Sequence, residues 1–168
     1  MAAVSTDLTH EELRMRLQYD PTTGKFKRLS QRRGSQARFG NPCSLRDGYY
    51  RICVNGKVYS AHRLAWLYMT GAWPPLGTEI DHIDRVKTNN AWSNLRLSTR
   101  QQNAANLSAK RSSRSGLKGV SWNAKRCRWQ ASVTSGGKSH YLGLFATASE
   151  ARAAYLAKAI ELFGEFAS

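Results

Sequence analysis

The stretch that decides the reading of this chain is TEIDHIDRVKTNNAWSNLRLSTRQQNAAN, from Thr78 to Asn106. Glu79-Ile80-Asp81 reads as a short extended run ending at a polar loop, and Val86 to Asn94 is too rich in Thr, Asn and Ser for regular structure. Leu95-Arg96-Leu97 alternates apolar and basic positions, as a second short strand does. Ser98 or Thr99 can cap a helix over about 100–107, and Ser98-Thr99-Arg100-Gln101 has capping-box form. Asn106 would lie one turn beyond Asn103 on the same helix face. Strand, loop, strand and helix would fold Asn103 back over Asp81 and His82.

Asp81 and His82 are adjacent, Asn94 follows His82 by twelve residues, and Asn103 follows Asn94 by nine. An acid, a base and amide donors at such intervals suggest a small metal site that hydrolyses phosphodiesters. Neighbouring residues of a regular strand point to opposite faces. Asp81 and His82 can therefore share a site only if the strand ends or twists there.

The pattern D-H-I-D-x-x-x-x-N-N-x-x-x-N-L-R resembles the HNH nuclease family and its ββα-metal motif, in the variant whose third position is Asn. The resemblance implies that His82 is the general base and that Asn94 braces the loop and orients it. It implies that Asp81 and Asn103 hold one divalent cation. A neutral imidazole, with an ordinary pKa of about 6.5, is available as a base near neutrality. Carboxylate and amide oxygens suit Mg2+, or Mn2+, better than zinc.

Outward from this stretch, the charge is uneven. The 168 residues carry 26 Lys and Arg against 11 Asp and Glu, a formal net charge of +15. Between Arg85 and Ser149 there are twelve basic residues and no acidic one. Such a surface points to a polyanionic partner. Glu79, Asp81 and Asp84 at its upstream border would weaken phosphate binding unless a cation sits among them. Cys43, Cys53 and Cys127 are isolated, which implies neither a zinc site nor a disulfide framework and suggests a reducing compartment. The N-terminus lacks signal-peptide character, and no apolar run approaches the roughly 20 residues of a membrane span. The expected location is the cytoplasm of a bacterial or phage-infected host cell.

Upstream, Thr9-His10-Glu11-Glu12 has capping-box form and opens a short helix to about Leu17. Tyr19 to Gly24 reads as a turn leading to an extended Lys25–Arg28. Gln31 to Asn41, with Arg32, Arg33 and Arg38, reads as a basic loop, either touching phosphate or merely solvated. Gly48 to Ser60 predicts a hairpin turning at Asn55-Gly56, with Ile52 and Val54 on one arm and Val58 on the other. A helix over about 61–69 follows, with an apolar face of Leu64, Ala65, Leu67 and Tyr68. H-R-L-A-W-L-Y-M-T-G resembles the segment upstream of the motif in phage-type HNH endonucleases. His62 within it either reaches the scissile phosphate or packs behind the site.

Downstream, Ser108 to Gly116 is a Ser-rich basic linker, whose Lys110, Arg111 and Arg114 either track a DNA backbone or are simply solvated. Three strands are expected around 117–122, 128–133 and 139–143, followed by a helix opened by the capping box Thr147-Ala148-Ser149-Glu150. The segments G-L-K-G-V-S-W, C-R-W-Q-A-S-V and Y-L-G-L-F-A-T-A-S-E-A-R-A-A-Y resemble the APETALA-type DNA-binding domain. Together with the HNH resemblance it implies that the polyanionic partner is double-stranded DNA, with a three-stranded sheet laid in the major groove and a helix behind it. Trp129, Ala131 and Val133 would face the helix. Arg128, Gln130 and Ser132 would face DNA, with Lys118, Asn123 and Tyr141 as further contacts.

The expected fold is α+β: an HNH ββα-metal module followed by a three-stranded antiparallel sheet packed on one helix. The expected domains are 1–47, an N-terminal helix and basic loop; 48–107, the nuclease module; 108–116, the linker; and 117–168, the DNA-binding module. The expected function is metal-dependent endonucleolytic nicking of duplex DNA, homing-type, by a monomer, with a dimer as the alternative. The rival is a DNA-binding regulator that uses the nuclease fold as a scaffold.

Overall fold

A computed structural model of the chain describes residues 8–29, 43–107 and 115–167. The basic loop expected over 31–41 and most of the expected linker, including Arg111 and Arg114, lie outside the described residues. The fold mixes helices with several small antiparallel sheets, and it divides into two compact units between Leu97 and Ser98.

In the first unit, helix α1 (His10–Arg16) opens with the expected capping box, Thr9 with Glu12. It runs directly into β1 (Leu17–Asp20), which pairs with β2 (Lys25–Arg28). The turn between them is stiffened by Asp20, whose carboxylate accepts from the Thr22 N–H and from both Thr hydroxyls. These hydrogen bonds, with a longer one from the Thr23 N–H, hold its carboxyl down to about 2, the Thr22 hydroxyl contributing most. Next come β3 (Cys43–Arg46), a strand the sequence reading did not anticipate, β4 (Tyr49–Val54) and β5 (Lys57–Ser60), in sheet order β3-β4-β5. The Asn55-Gly56 hairpin forms as expected, with Val54 opposite Lys57. Helix α2 (Ala61–Thr70) then covers the unit, burying Leu64, Ala65 and Leu67 as its apolar stripe requires.

These residues, with Leu13, Leu17, Phe26 and Ile52, form the core. Strands β6 (Thr78–His82) and β7 (Leu95–Thr99) form a separate two-stranded sheet, and Ile80 and Leu95 anchor it to that core.

In the second unit, helix α3 (Arg100–Asn106) is capped by Thr99, with Gln102 completing the box. The box therefore sits one residue later than Ser98 and Gln101 suggested: Ser98 belongs to β7 and is 2% exposed. Strands β8 (Val120–Asn123), β9 (Arg128–Ser135) and β10 (Lys138–Phe145) form an antiparallel sheet of order β10-β9-β8. Helix α4 (Ala148–Phe163), opened by the expected Thr147–Glu150 capping box, packs on it through Ala151, Tyr155 and Ala159. Small Ala side chains let this helix approach the strands closely. Ala105 of α3 joins the same cluster as Tyr155 and Phe163.

Candidate active site

Strand β6 ends at the residue where the site begins. Ile80, Asp81 and His82 are 9%, 5% and 4% exposed, so both faces of its last turn are covered. The chain then bends sharply. Arg85 N–H donates to the His82 carbonyl at 2.9 Å, and Arg85 adopts a left-handed φ of 65°. The bend follows His82, and the side chains of the two consecutive residues meet different neighbours. Asp81 turns toward β7, where Arg96 Nε and Nη2 each lie 3.0 Å from its Oδ2. The His82 ring turns to the other side and lies against His62 and Tyr49.

The loop from Asp84 to Asn94 is built from amide and carboxylate hydrogen bonds rather than regular structure. Asn94 Nδ2 donates to Asp84 Oδ1 and to the Asn89 carbonyl, at 2.9 and 2.8 Å. Asn94 Oδ1 accepts the Asp84 N–H, and the Asn94 carbonyl accepts the Ile83 N–H, both at 3.0 Å. Asn89 Nδ2 and Val86 N–H also donate to the Asp84 carboxylate. Partial burial pushes that carboxyl up, but these hydrogen bonds outweigh it and hold it below the usual range. Asn94 thus ties the two ends of the loop together. The side chain at hydrogen-bond distance from the His82 ring is a different amide: Asn90 Oδ1 lies 3.2 Å from His82 Nε2.

Around His82 the rings of Tyr49 and His62 form a cluster. His62 meets His82 edge-on with centroids 5.2 Å apart, and Tyr49 lies 5.2 Å from His62 and 6.0 Å from His82. The Lys87 ammonium sits 4.5 Å above the Tyr49 ring and donates to the Asp47 carbonyl. Burial lowers the His62 imidazole to about 3, assisted by His82, Arg63 and Arg51. Burial also lowers His82, against the opposing pull of the Asn90 hydrogen bond and of Asp84 and Asp81. Both imidazoles are therefore neutral near pH 7.

Among the described residues, no group of three or more His, Cys, Asp or Glu side chains is placed to hold a metal ion. The donor chemistry at Asp81 nonetheless suits a hard divalent cation. It is a buried carboxylate, an oxygen donor of the kind such cations take. Asn103, the other expected ligand, lies on α3, whose residues group with the second unit.

In the second unit the strand register collects five of the residues expected to meet DNA. Asn123 is opposite Arg128, Ser121 opposite Gln130, and Ser132 opposite Tyr141. Directly paired residues share a face, so Asn123, Arg128, Gln130, Ser132 and Tyr141 line the face turned away from α4. Ala131 and Val133 are buried on the α4 side, and Tyr141 is 60% exposed. Asn123 Nδ2 donates to Gln130 Oε1 across the strands at 3.1 Å. Lys118 behaves differently. Its ammonium donates to the carbonyls of Ala104, Ala105 and Leu107 and so caps the C-terminus of α3.

Four residues around Asp81 or His82 are not singled out as site residues by the sequence: Asn90, Tyr49, Lys87 and Arg96. The Asn89-Asn90 doublet was visible within the motif, but its spacing does not say which Asn reaches the ring. Arg96 was visible only as the basic position of an alternating strand. Nothing local marks Tyr49, because its partners come from α2 and β6.

Residues 59–105 match the HNH endonuclease family model. The chain is 46% identical over 84 residues to Protein 3.8 of Escherichia phage T7, covering 50% of this chain and 69% of that protein. It is 38% identical over 123 residues to an uncharacterized HNH endonuclease of Acanthamoeba polyphaga mimivirus, covering 73% of this chain and 63% of that protein. The chain thus spans about two thirds of the length of each relative. No solved structure matches it. The chain thus carries an HNH endonuclease family domain over residues 59–105. No helix of the described residues is long and apolar enough to cross a membrane.

Proposed function

We propose that this protein is a divalent-metal-dependent DNA endonuclease that nicks duplex DNA, with His82 as the general base. The observation that carries this reading is the buried Asp81–His82 pair at the end of β6, with a neutral imidazole, inside the segment that matches the family. The His82 ring takes a proton from a water aligned on the scissile phosphorus. That water attacks phosphorus, the P–O3′ bond breaks, the leaving 3′-oxygen takes up a proton from solvent, and the products are a 5′-phosphate and a 3′-hydroxyl. Asp81 would hold Mg2+ or Mn2+, which supplies charge stabilisation for the phosphate and the leaving oxygen when bound. Asn103 as the second donor rests on the motif spacing alone. Asn94 keeps the 84–94 loop closed so that the base and the carboxylate keep their relative positions. Burial keeps His62 uncharged, which favours its packing against His82 over a cationic grip on phosphate.

The C-terminal sheet is the DNA-placing element in this reading, of the APETALA type. Arg128, Gln130, Ser132, Asn123 and Tyr141 provide hydrogen-bonding groups on one face, as groove recognition requires. One catalytic motif per chain suits nicking of one strand per engagement, in homing-type or free-standing action by a monomer in a host cell.

A plasmid-nicking assay with Mg2+ tests the proposal. Wild type converts supercoiled plasmid to the open circle, and His82→Ala binds the same DNA but leaves it supercoiled. Equal cutting by both proteins removes His82 as the base, and no metal-dependent cutting by the wild type removes the nuclease reading.

A further inference from the structure

Asn90 is 1% exposed, with its side-chain amide against His82 and its backbone carbonyl against the N-terminal hairpin. A buried amide is costly unless its polar atoms are matched. Asn90 Nδ2 donates to the Thr88 carbonyl at 3.3 Å, which fixes the orientation of the amide. Flipping it would set Oδ1 against that carbonyl, acceptor against acceptor. Oδ1 is therefore the atom that faces His82 Nε2 at 3.2 Å, and an acceptor there requires Nε2 to carry a hydrogen. A neutral imidazole has one N–H, so the lone pair is then on Nδ1.

The hairpin formed by β1 and β2 holds this amide in place. Tyr19 Oη donates to the Asn90 carbonyl at 2.6 Å, and Trp92 N–H donates to the Pro21 carbonyl at 2.8 Å. Burial, with Asp20 beside it, pushes the Tyr19 phenol up, so it remains a donor throughout the working pH range. The hairpin turn lies directly on the 90–91 peptide. A Cβ at Gly24 would fall 2.2 Å from the Asn90 carbonyl carbon and 2.3 Å from the Ala91 nitrogen, and φ there is +69°. Only glycine permits that approach. The hairpin lies outside the segment that matches the family, which begins at residue 59.

We infer that Asn90, clamped by the hairpin at Tyr19, Pro21 and Gly24, is the positioning residue that fixes the His82 tautomer and presents Nδ1 as the proton-accepting atom. The N-terminal hairpin is then part of the catalytic apparatus, acting through Asn90. The consequence for catalysis rests on the nuclease reading above. The tautomer itself does not.

The test is 15N NMR of the histidine side chains of the full chain at pH 7.5, with His82→Gln for assignment, alongside plasmid nicking. Wild-type His82 is expected as the Nε2–H tautomer. Asn90→Ala should lose that preference and lower kcat about 10²-fold, the scale of a misplaced catalytic group, with KM little changed. Asn90→Asp, which retains the acceptor, should keep the tautomer. Should Asn90→Ala fail to fold, Tyr19→Phe serves in its place, with a partial loss of the preference and a several-fold drop in kcat. An Nδ1–H tautomer in the wild type overturns the inference. So does an unchanged tautomer in folded Asn90→Ala, or in Tyr19→Phe if that variant replaces it. If the tautomer shifts as expected but the wild type does not nick DNA, the nuclease reading fails while the positioning of His82 stands.

Discussion

Arg96 and Asp81 form a buried ion pair across β6 and β7: Nε and Nη2 both lie 3.0 Å from Oδ2, with side chains 13% and 5% exposed. Removing one partner of such a pair leaves an uncompensated charge, which costs about 3–5 kcal/mol. Arg96→Met should therefore lower the stability of the chain by about that amount in metal-free buffer. A divalent cation on Asp81 would neutralise the same carboxylate. Millimolar Mg2+ should then restore part of the loss in Arg96→Met and do less for the wild type, as read by urea denaturation with and without the metal. Equal stabilisation of both proteins by Mg2+ would count against Asp81 as a ligand.

Stability should fall as pH drops below about 6.5, in part through His62. Its folded-state pKa of about 3 lies below the ordinary value, so the unfolded chain binds more protons between those limits. The contribution of a buried neutral imidazole is complete above about pH 6.5 and is lost as pH falls toward about 3, by up to about 1.4 kcal/mol per pH unit. His62→Phe keeps a ring against Tyr49 and His82 and removes the titration. Its stability curve from pH 7 to pH 4 should be flatter than that of the wild type, measured by denaturant midpoints at each pH.

Lys118 and Arg128 should separate cleanly although both carry positive charge. Lys118 caps α3 through three carbonyls, so Lys118→Met should destabilise the chain by about 1–2 kcal/mol and leave the salt dependence of DNA binding unchanged. Arg128 lies on the outward face of β9, so Arg128→Ala should leave stability within about 0.5 kcal/mol. It should weaken DNA binding and, if it meets a phosphate, reduce the slope of log K against log salt by about 0.9. Thermal melts and binding titrations at several salt concentrations measure both.

Gly119 has no room for a methyl group. A Cβ there would lie 1.9 Å from the Tyr155 ring and 2.7 Å from the Ser132 carbonyl, and φ is +72°. Gly119→Ala should cost about 3 kcal/mol or more, because the clash and the backbone strain act together. A melt of Gly119→Ala coincident with the wild type would show that Tyr155 can move aside.

Much of this protein was legible in the linear chain because the signals are local. Capping boxes at Thr9 and Thr147, the Asn55-Gly56 turn, the apolar stripe of α2 and the alternation of β9 each depend on residues a few positions apart. The motif from Asp81 to Asn94 was likewise readable, because an HNH segment keeps its acid, base and amides at fixed spacing. The sequence determined these elements and named Asp81, His82, Asn94 and Asn103 as candidate site residues. Contact partners were decided only by the tertiary structure. Asn90 rather than Asn94 reaches the His82 ring, because a hairpin some seventy residues upstream presses on that peptide. Lys118 turns to helix carbonyls because α3 ends where its side chain reaches. Arg96 meets Asp81 because two strands separated by a loop pair side by side. A hydrogen bond acts over about 3 Å in space and ignores distance along the chain, so spacing can name the donors and acceptors but not match them.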